Sequence, residues 1–230
     1  METKEIRESK DEASIPNSDE QARNFPKSVD FLPKWLRFKK YNQFLEGVDI
    51  IPFKCPLAPK FDAHLKPEER FHFTEVYEYS VSQKKPITAV IDLTFTDKYY
   101  NPRTNNFFPK TVTHYKFKIP GKKIPSQQLL KKILDTMENV IENKGAIGIH
   151  CTHGINRTGF IVCSFLVERL KWDPKKAVEA FEKARGEKMT HDEYIINLLK
   201  QEVISSGTGG DNMIQSISVG KTEPEKQSEK

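Results

Sequence analysis

Cysteine is scarce in this chain: Cys55, Cys151 and Cys163 are the three among 230 residues, odd in number and without paired metal-ligand spacing. That argues against a disulfide framework and a zinc site, and it fits a reducing intracellular compartment. Long apolar runs are also missing. No stretch approaches the roughly 18 residues of a membrane span, and no secretory apolar core follows Met1. Acidic residues are absent from one whole segment, Lys98 to Leu134, which carries nine lysines and arginines interleaved with Tyr99, Tyr100, Phe107, Phe108, Tyr115 and Phe117. Basic residues among aromatics suit a phosphate backbone with splayed bases; the alternative is a solvated lysine face over a few core aromatics. The formal net charge of the chain is +5, so the distribution of charge is more informative than its sum.

What is present is a stretch with the form of an active site: Ile147-Gly-Ile-His-Cys-Thr-His-Gly-Ile-Asn-Arg-Thr-Gly159. A buried-strand pattern runs into a Cys-x5-Arg-Thr loop that opens a helix. The thiol of Cys151 is expected where the backbone N–H groups of residues 152 to 157 converge, at the positive end of that helix, which favours thiolate and oxyanion alike. Arg157 adds a planar two-pronged donor for phosphate oxygens that a lysine does not match. The chemistry is attack by sulfur on phosphorus through a phosphocysteine. Cys151 alone would read as a buried core thiol; His150, Gly154, Arg157, Thr158 and Gly159 in register make chance improbable.

The length suits one globular domain, expected over residues 25–204, with polar tails at 1–24 and 205–230 that read as disordered. Strands are expected at 48–53, 87–92, 113–119 and 146–150. Helices are expected at 125–143, 158–170, 174–184 and 190–201, the last opened by a capping box, Thr190-His-Asp-Glu193. Asp173 and Pro174 form an N-cap and first-turn pair, and Gly186 stops that helix. Cys163, on the helix behind the loop, reads as a core residue. Alternating buried strands and helices predict an α/β domain with a central, partly parallel sheet flanked by helices and the loop at a strand's C-terminal end.

The loop resembles that of the cysteine phosphatases, and His150-Cys-Thr-His-Gly-Ile-Asn-Arg-Thr-Gly159 is most similar to one branch, the cysteine-dependent RNA 5′-triphosphatases of the dual-specificity phosphatase superfamily. Asp92-Leu-Thr-Phe-Thr-Asp-Lys-Tyr-Tyr100 and Phe53-Lys-Cys-Pro-Leu57 resemble two further segments of that branch, with Cys55 departing from the Val or Thr expected there. Arg185-Gly186 followed by Tyr194 resembles its stand-alone members, which interact with RNA and ribonucleoprotein complexes. The capping-enzyme members continue into a nucleotidyltransferase with a Lys-x-Asp-Gly motif that this sequence lacks. The resemblance implies removal of the γ and then the β phosphate to leave a 5′-monophosphate RNA. It also implies RNA 5′ ends as partners, with ribonucleoprotein or small-RNA processing complexes beside them, and a nuclear location with a cytoplasmic share. No membrane association and no cofactor or metal are expected, and the chain is expected to be a monomer.

One physical argument points the same way. Phosphatases acting on phosphoserine or phosphotyrosine usually need an aspartic acid a few tens of residues before the cysteine to protonate a strongly basic leaving group. That region holds no acid here. A leaving phosphate is already ionised near neutral pH, its second pKa being about 6. Asp97 is the reserve acid; Asp92, at the end of a buried strand, reads chiefly as structural. Thr158 is expected to hydrogen-bond the sulfur or to cap the helix, and His150 to orient the loop. Thr152, Gly154 and Ile155 complete the phosphate loop, where His153 and Asn156 face the phosphate or fill space. Arg185, by resemblance, then Lys54, Lys98 and Tyr99, are candidates for contacts to the rest of the RNA end; the alternative for each cation is a surface charge paired with a carboxylate, the commoner fate. The rival readings are a γ-only capping-type triphosphatase, a dual-specificity protein phosphatase, and a module that only binds 5′-phosphorylated RNA.

Overall fold

Four parallel strands order the molecule. A computed structural model describes residues 25–103 and 107–205, so nearly all of both expected tails lies outside the described residues. The strands are β1 (Ile50–Lys54), β2 (Ile87–Asp92), β3 (Thr113–Lys116) and β4 (Ala146–Cys151), arranged β1-β4-β2-β3. Every neighbouring pair is parallel; the antiparallel contact among the described residues is one isolated bridge, Tyr41 with Phe53. The sheet is therefore more uniformly parallel than expected. The central strands explain why. β4 is buried at all six positions and β2 at five of six, as strands covered by helices on both faces must be. β3 lies at an edge, is only half-buried, and ends at Lys116, short of the expected 119.

Successive strand residues face opposite layers. Ile91, Ile147 and Ile149 point into a core with α3 (Gln127–Glu142), α4 (Asn156–Glu168), α5 (Pro174–Arg185) and α6 (Asp192–Ser205). Ile51, Phe53 and Val90 point the other way, against α1 (Leu32–Leu36), α2 (Phe73–Ser82) and the loops after β1. α4 is buried almost throughout, from Thr158 to Leu166, and Cys163 on it is a core thiol whose ionisation burial suppresses.

Helix ends follow the local chemistry. Ser126 caps α3 through Leu129 N–H, Asp173 caps α5 through Lys176 N–H, and Gly186 closes α5 in the left-handed region at φ 68°. α2 was not foreseen. Its Thr74, Val76, Tyr77, Tyr79 and Val81 are weak helix formers, and burial of Phe73, Val76 and Ser80 on one face holds it against the sheet.

The segment before β1 is fastened to the domain by Trp35, which is fully buried and donates its indole N–H to the Cys55 carbonyl at 2.9 Å. Trp35→Ala is expected to cost about 3–5 kcal/mol and Trp35→Phe distinctly less. Chemical denaturation measures both, and a loss under about 1 kcal/mol for the alanine variant would exclude the segment from the cooperative core.

Candidate active site

β4 ends at Cys151 and α4 begins at Asn156, so four residues make the turn between them. Gly154 carries φ +69°, and a Cβ there would collide with the Phe53 carbonyl of the neighbouring strand. Only glycine fits that close approach. The Cys55 N–H donates to the Thr152 carbonyl, which ties the end of β1 to the loop.

Burial by itself opposes ionisation of Cys151, but the Arg157 guanidinium, the Thr158 hydroxyl and N–H, and the His153 N–H together hold its pKa below the ordinary thiol value. The buried Thr158 hydroxyl has no hydrogen-bond partner among the described residues, which leaves its proton available to the sulfur. Arg157 is fixed along one edge: Nη1 donates to the Leu93 and Ile119 carbonyls at 3.1 and 2.7 Å, and Nη2 to Thr152 Oγ1 at 3.1 Å. His150 is wholly buried between the Tyr100 hydroxyl, 2.8 Å from Nε2, and the Cys151 carbonyl, 3.1 Å from Nδ1. Burial pushes its pKa down to about 4 against the pull of Asp92. The ring is neutral near pH 7 and holds the cysteine's backbone.

Asp92 is the hub behind this histidine. It accepts from Thr94 N–H and hydroxyl, the Tyr100 hydroxyl and the Lys116 ammonium, at 2.6 to 2.9 Å. Burial would raise its pKa, but His150, His114, Lys116 and Thr94 outweigh that and hold it far below the carboxylate range. Asp97 is exposed, and its hydrogen bond to Lys118 lowers it too. Both carboxylates line a separate cavity with Tyr100, Pro102, Arg103, His114 and Lys116. As placed, the reserve acids are anions away from the sulfur.

The cavity at Cys151 encloses about 230 Å³ and is lined by His153, Ile155, Asn156 and Arg157, by Lys34 and Phe38, by Gly121 and Lys122, and by Thr190, His191 and Tyr194. Among the described residues no carboxylate lines it. His153 packs against Phe38 with the rings tilted by 37° and their centroids 4.9 Å apart, and burial followed by Lys34 and Arg157 pushes its pKa down to about 4. Asn156 is engaged by its neighbours: Oδ1 accepts from Thr190 and His191 N–H, and Nδ2 donates to Thr190 Oγ1. The expected capping box at Thr190 is thereby corrected, since its hydroxyl meets Asn156 and α6 starts at Asp192.

Four expected contacts to the RNA end are placed elsewhere. Arg185 is fully buried beneath the loop. Its Nε donates to the Gly154 carbonyl at 3.2 Å, and Nη2 to the Lys39 and His153 carbonyls at 2.6 and 3.0 Å. Lys54 is buried too, 3.4 Å over the Trp35 ring and bonded to the Trp35 and Phe38 carbonyls; burial, then Arg185, pushes its pKa down to about 7. Lys98 stands outside the cavity near Asp30 and over Phe31. Tyr99 is buried with its hydroxyl 3.4 Å from Thr152 Oγ1, behind the loop wall. Lys34, Phe38 and His191 were not singled out from the sequence, where they carry no motif. Among the described residues no three His, Cys, Asp or Glu side chains are grouped to hold a metal.

Residues 73–204 match the family described as dual specificity phosphatase, catalytic domain. The chain belongs to that family. It is 35% identical over 171 residues to a tyrosine-protein phosphatase of Autographa californica nuclear polyhedrosis virus, covering 74% of this chain and 99% of the viral protein. It is 33% identical to the RNA/RNP complex-1-interacting phosphatase of Rattus norvegicus, over 74% of this chain and 52% of that one. To the mRNA-capping enzyme of Mus musculus it is 31% identical, over 74% of this chain and 28% of the enzyme. The chain thus spans nearly all of the viral relative and about half or less of the other two. Crystal structures of Tk-PTP in the active form and PTPMT1 in complex with PI(5)P share the fold, with TM-scores of 0.50 and 0.51 at 21% and 15% identity; they cover 70% and 74% of this chain and 94% and 100% of their own.

Two outcomes follow for a phosphatase built this way. Arg185→Ala is expected to lower turnover on the order of 10²-fold through loop misplacement, and equally for substrates with one phosphate and with three, because its Nε and Nη2 donors meet protein carbonyls. Steady-state rates on both substrates check this; a loss confined to the longer substrate would make Arg185 a substrate contact. The rate of Cys151 alkylation by iodoacetamide should reach half its maximum at a pH below that of an ordinary thiol, since a lowered pKa keeps the thiolate at lower pH. Arg157→Ala should move that midpoint upward.

Proposed function

We propose that this chain hydrolyses the γ and then the β phosphate from RNA 5′ ends and leaves a 5′-monophosphate. The observation that carries the reading is a cavity at a thiolate-favouring Cys151 whose lining includes Arg157, Lys34 and Lys122 but no carboxylate, while Asp92 and Asp97 are held as anions elsewhere. Such a site has no carboxylic acid among its described lining residues to protonate a basic alkoxide. It does not need one for a phosphate leaving group, which departs already ionised.

In the first step Cys151 Sγ attacks the terminal phosphorus; the S–P bond forms as the bridging O–P bond breaks, and the shortened RNA end takes the electron pair. Arg157 and the loop N–H groups stabilise the charge on the equatorial oxygens. Water then attacks phosphorus, the S–P bond breaks, orthophosphate leaves, and Thr158 stabilises the returning thiolate. A second cycle removes the next phosphate. The names of the rat and mouse relatives, both RNA-related, support this choice of substrate.

The name of the viral relative favours a second reading, a protein phosphatase. The two differ in their need for an acid, whose contribution is about 10²–10⁴-fold. Triphosphate RNA labelled in the γ and β phosphates should therefore be turned over at least about 10²-fold faster than phosphotyrosine or phosphoserine peptides, with chelator present, and end as monophosphate RNA. Comparable peptide turnover would overturn the RNA-end reading, and accumulation of diphosphate RNA would reduce it to γ removal alone.

A further inference from the structure

The proposed substrate carries phosphates beyond the one seated in the Cys151 loop, and the residues expected to hold them, Arg185 and Lys54, are buried and bonded to carbonyls. Two other cations line the cavity mouth. Lys34 stands on α1, and Lys122 on the connection between β3 and α3; both are exposed and neither makes an ion pair or hydrogen bond among the described residues. An unpaired lysine is ordinary on a surface. These two are distinguished by how firmly their backbones are held beside the sulfur.

The connection bearing Lys122 is gripped at both ends by cavity residues: Arg157 Nη1 donates to the Ile119 carbonyl at 2.7 Å, and the Tyr194 hydroxyl to the Lys123 carbonyl at 3.1 Å. Between these anchors Lys122 adopts φ +59°, a left-handed conformation that a lysine rarely takes. The segment bearing Lys34 is gripped likewise. The Trp35 indole N–H donates to the Cys55 carbonyl, Lys54 Nζ to the Trp35 and Phe38 carbonyls, and Arg185 Nη2 to the Lys39 carbonyl. Lys34 also faces the loop from outside, where it helps to keep His153 neutral. The buried cations thus build the wall from which the exposed one projects.

Resting on the function proposed above, we infer that Lys34 and Lys122 form a polyphosphate clamp, each holding a phosphate of the chain behind the one attacked by Cys151, and that they set the preference for phosphoanhydride over monophosphate substrates. The chemistry recognised is a short linear polyphosphate, whether at an RNA 5′ end or free as inorganic tripolyphosphate. Lysine suits this place because it acts as a mobile point charge on a phosphate whose position shifts between successive cycles.

The full chain and its Lys34→Ala, Lys122→Asn and doubly substituted variants would be assayed on triphosphate RNA, inorganic tripolyphosphate and an aryl monophosphate. Asparagine tolerates the left-handed backbone, so the Lys122 variant removes charge without adding strain. The ratio of kcat/KM for three phosphates over one should fall about tenfold for each single variant, mainly through KM, and Lys→Arg at either position should restore most of it. An unchanged ratio would overturn the clamp. So would a loss on RNA with tripolyphosphate untouched, since that would move the lysines to the nucleotide backbone. Calorimetric binding of tripolyphosphate and of orthophosphate to Cys151→Ser, with and without the lysine substitutions, reads the same preference without turnover. A wild-type chain unable to cleave phosphoanhydrides would remove the proposed function, whereas equal binding of the two anions would remove the clamp.

Discussion

A loop that turns N–H groups toward a buried sulfur leaves carbonyls facing the interior, and those carbonyls need donors. This constraint governs the site. His153 and Thr158 give N–H groups to Cys151, and the His153 and Gly154 carbonyls are met from below by Arg185. Arg185 keeps its charge there, its pKa only drawn down to about 10 by burial. Its third acceptor, Lys39, belongs to the segment that carries Lys34 and Phe38 to the cavity. One buried guanidinium thereby joins α5, the phosphate loop and the outer wall. Removing it would leave three carbonyls unpaired at once, which is why its loss is expected to act on turnover of any substrate.

A second polar layer lies behind the strand that ends in Cys151. Asp92 gathers Thr94, Tyr100 and Lys116, and Tyr100 passes the contact on to His150, whose other nitrogen meets the Cys151 carbonyl. Such a network is costly unless every member is satisfied. Here it keeps the carboxylate ionised and the imidazole neutral, so neither competes with the sulfur for a proton. The carboxylate nearest the motif is thus structural by virtue of its partners, and the cavity is left to cations and neutral groups. Family membership establishes a phosphatase; the proposed preference for a phosphate leaving group rests on a Cys151 cavity that no carboxylate lines among the described residues.

The motif from His150 to Gly159, the buried strands, the capped start and glycine stop of α5 and the apolar α4 were all legible in the sequence, because each rests on contacts within a few residues or on a strict chemical requirement. Gly154 is an example: its positive φ and the Phe53 carbonyl against it allow nothing larger. α2 was not legible, since its residues favour strands in isolation and only packing on β2 makes them helical.

Side-chain destinations were the part that only tertiary structure decided. Arg185, Lys54 and Lys34 look alike as isolated cations along the chain; burial, cross-chain carbonyls and the position of Trp35 assign the first two to support and the third to the cavity mouth. Asn156 and Thr190, 34 residues apart, meet each other instead of filling the roles their local sequence offers. The sequence determined the Cys151 loop and the order of the elements because these depend on local geometry and on contacts within a few residues. The tertiary structure decided which charges remain free for a substrate, because an ion's role depends on the partners that folding brings within hydrogen-bond reach.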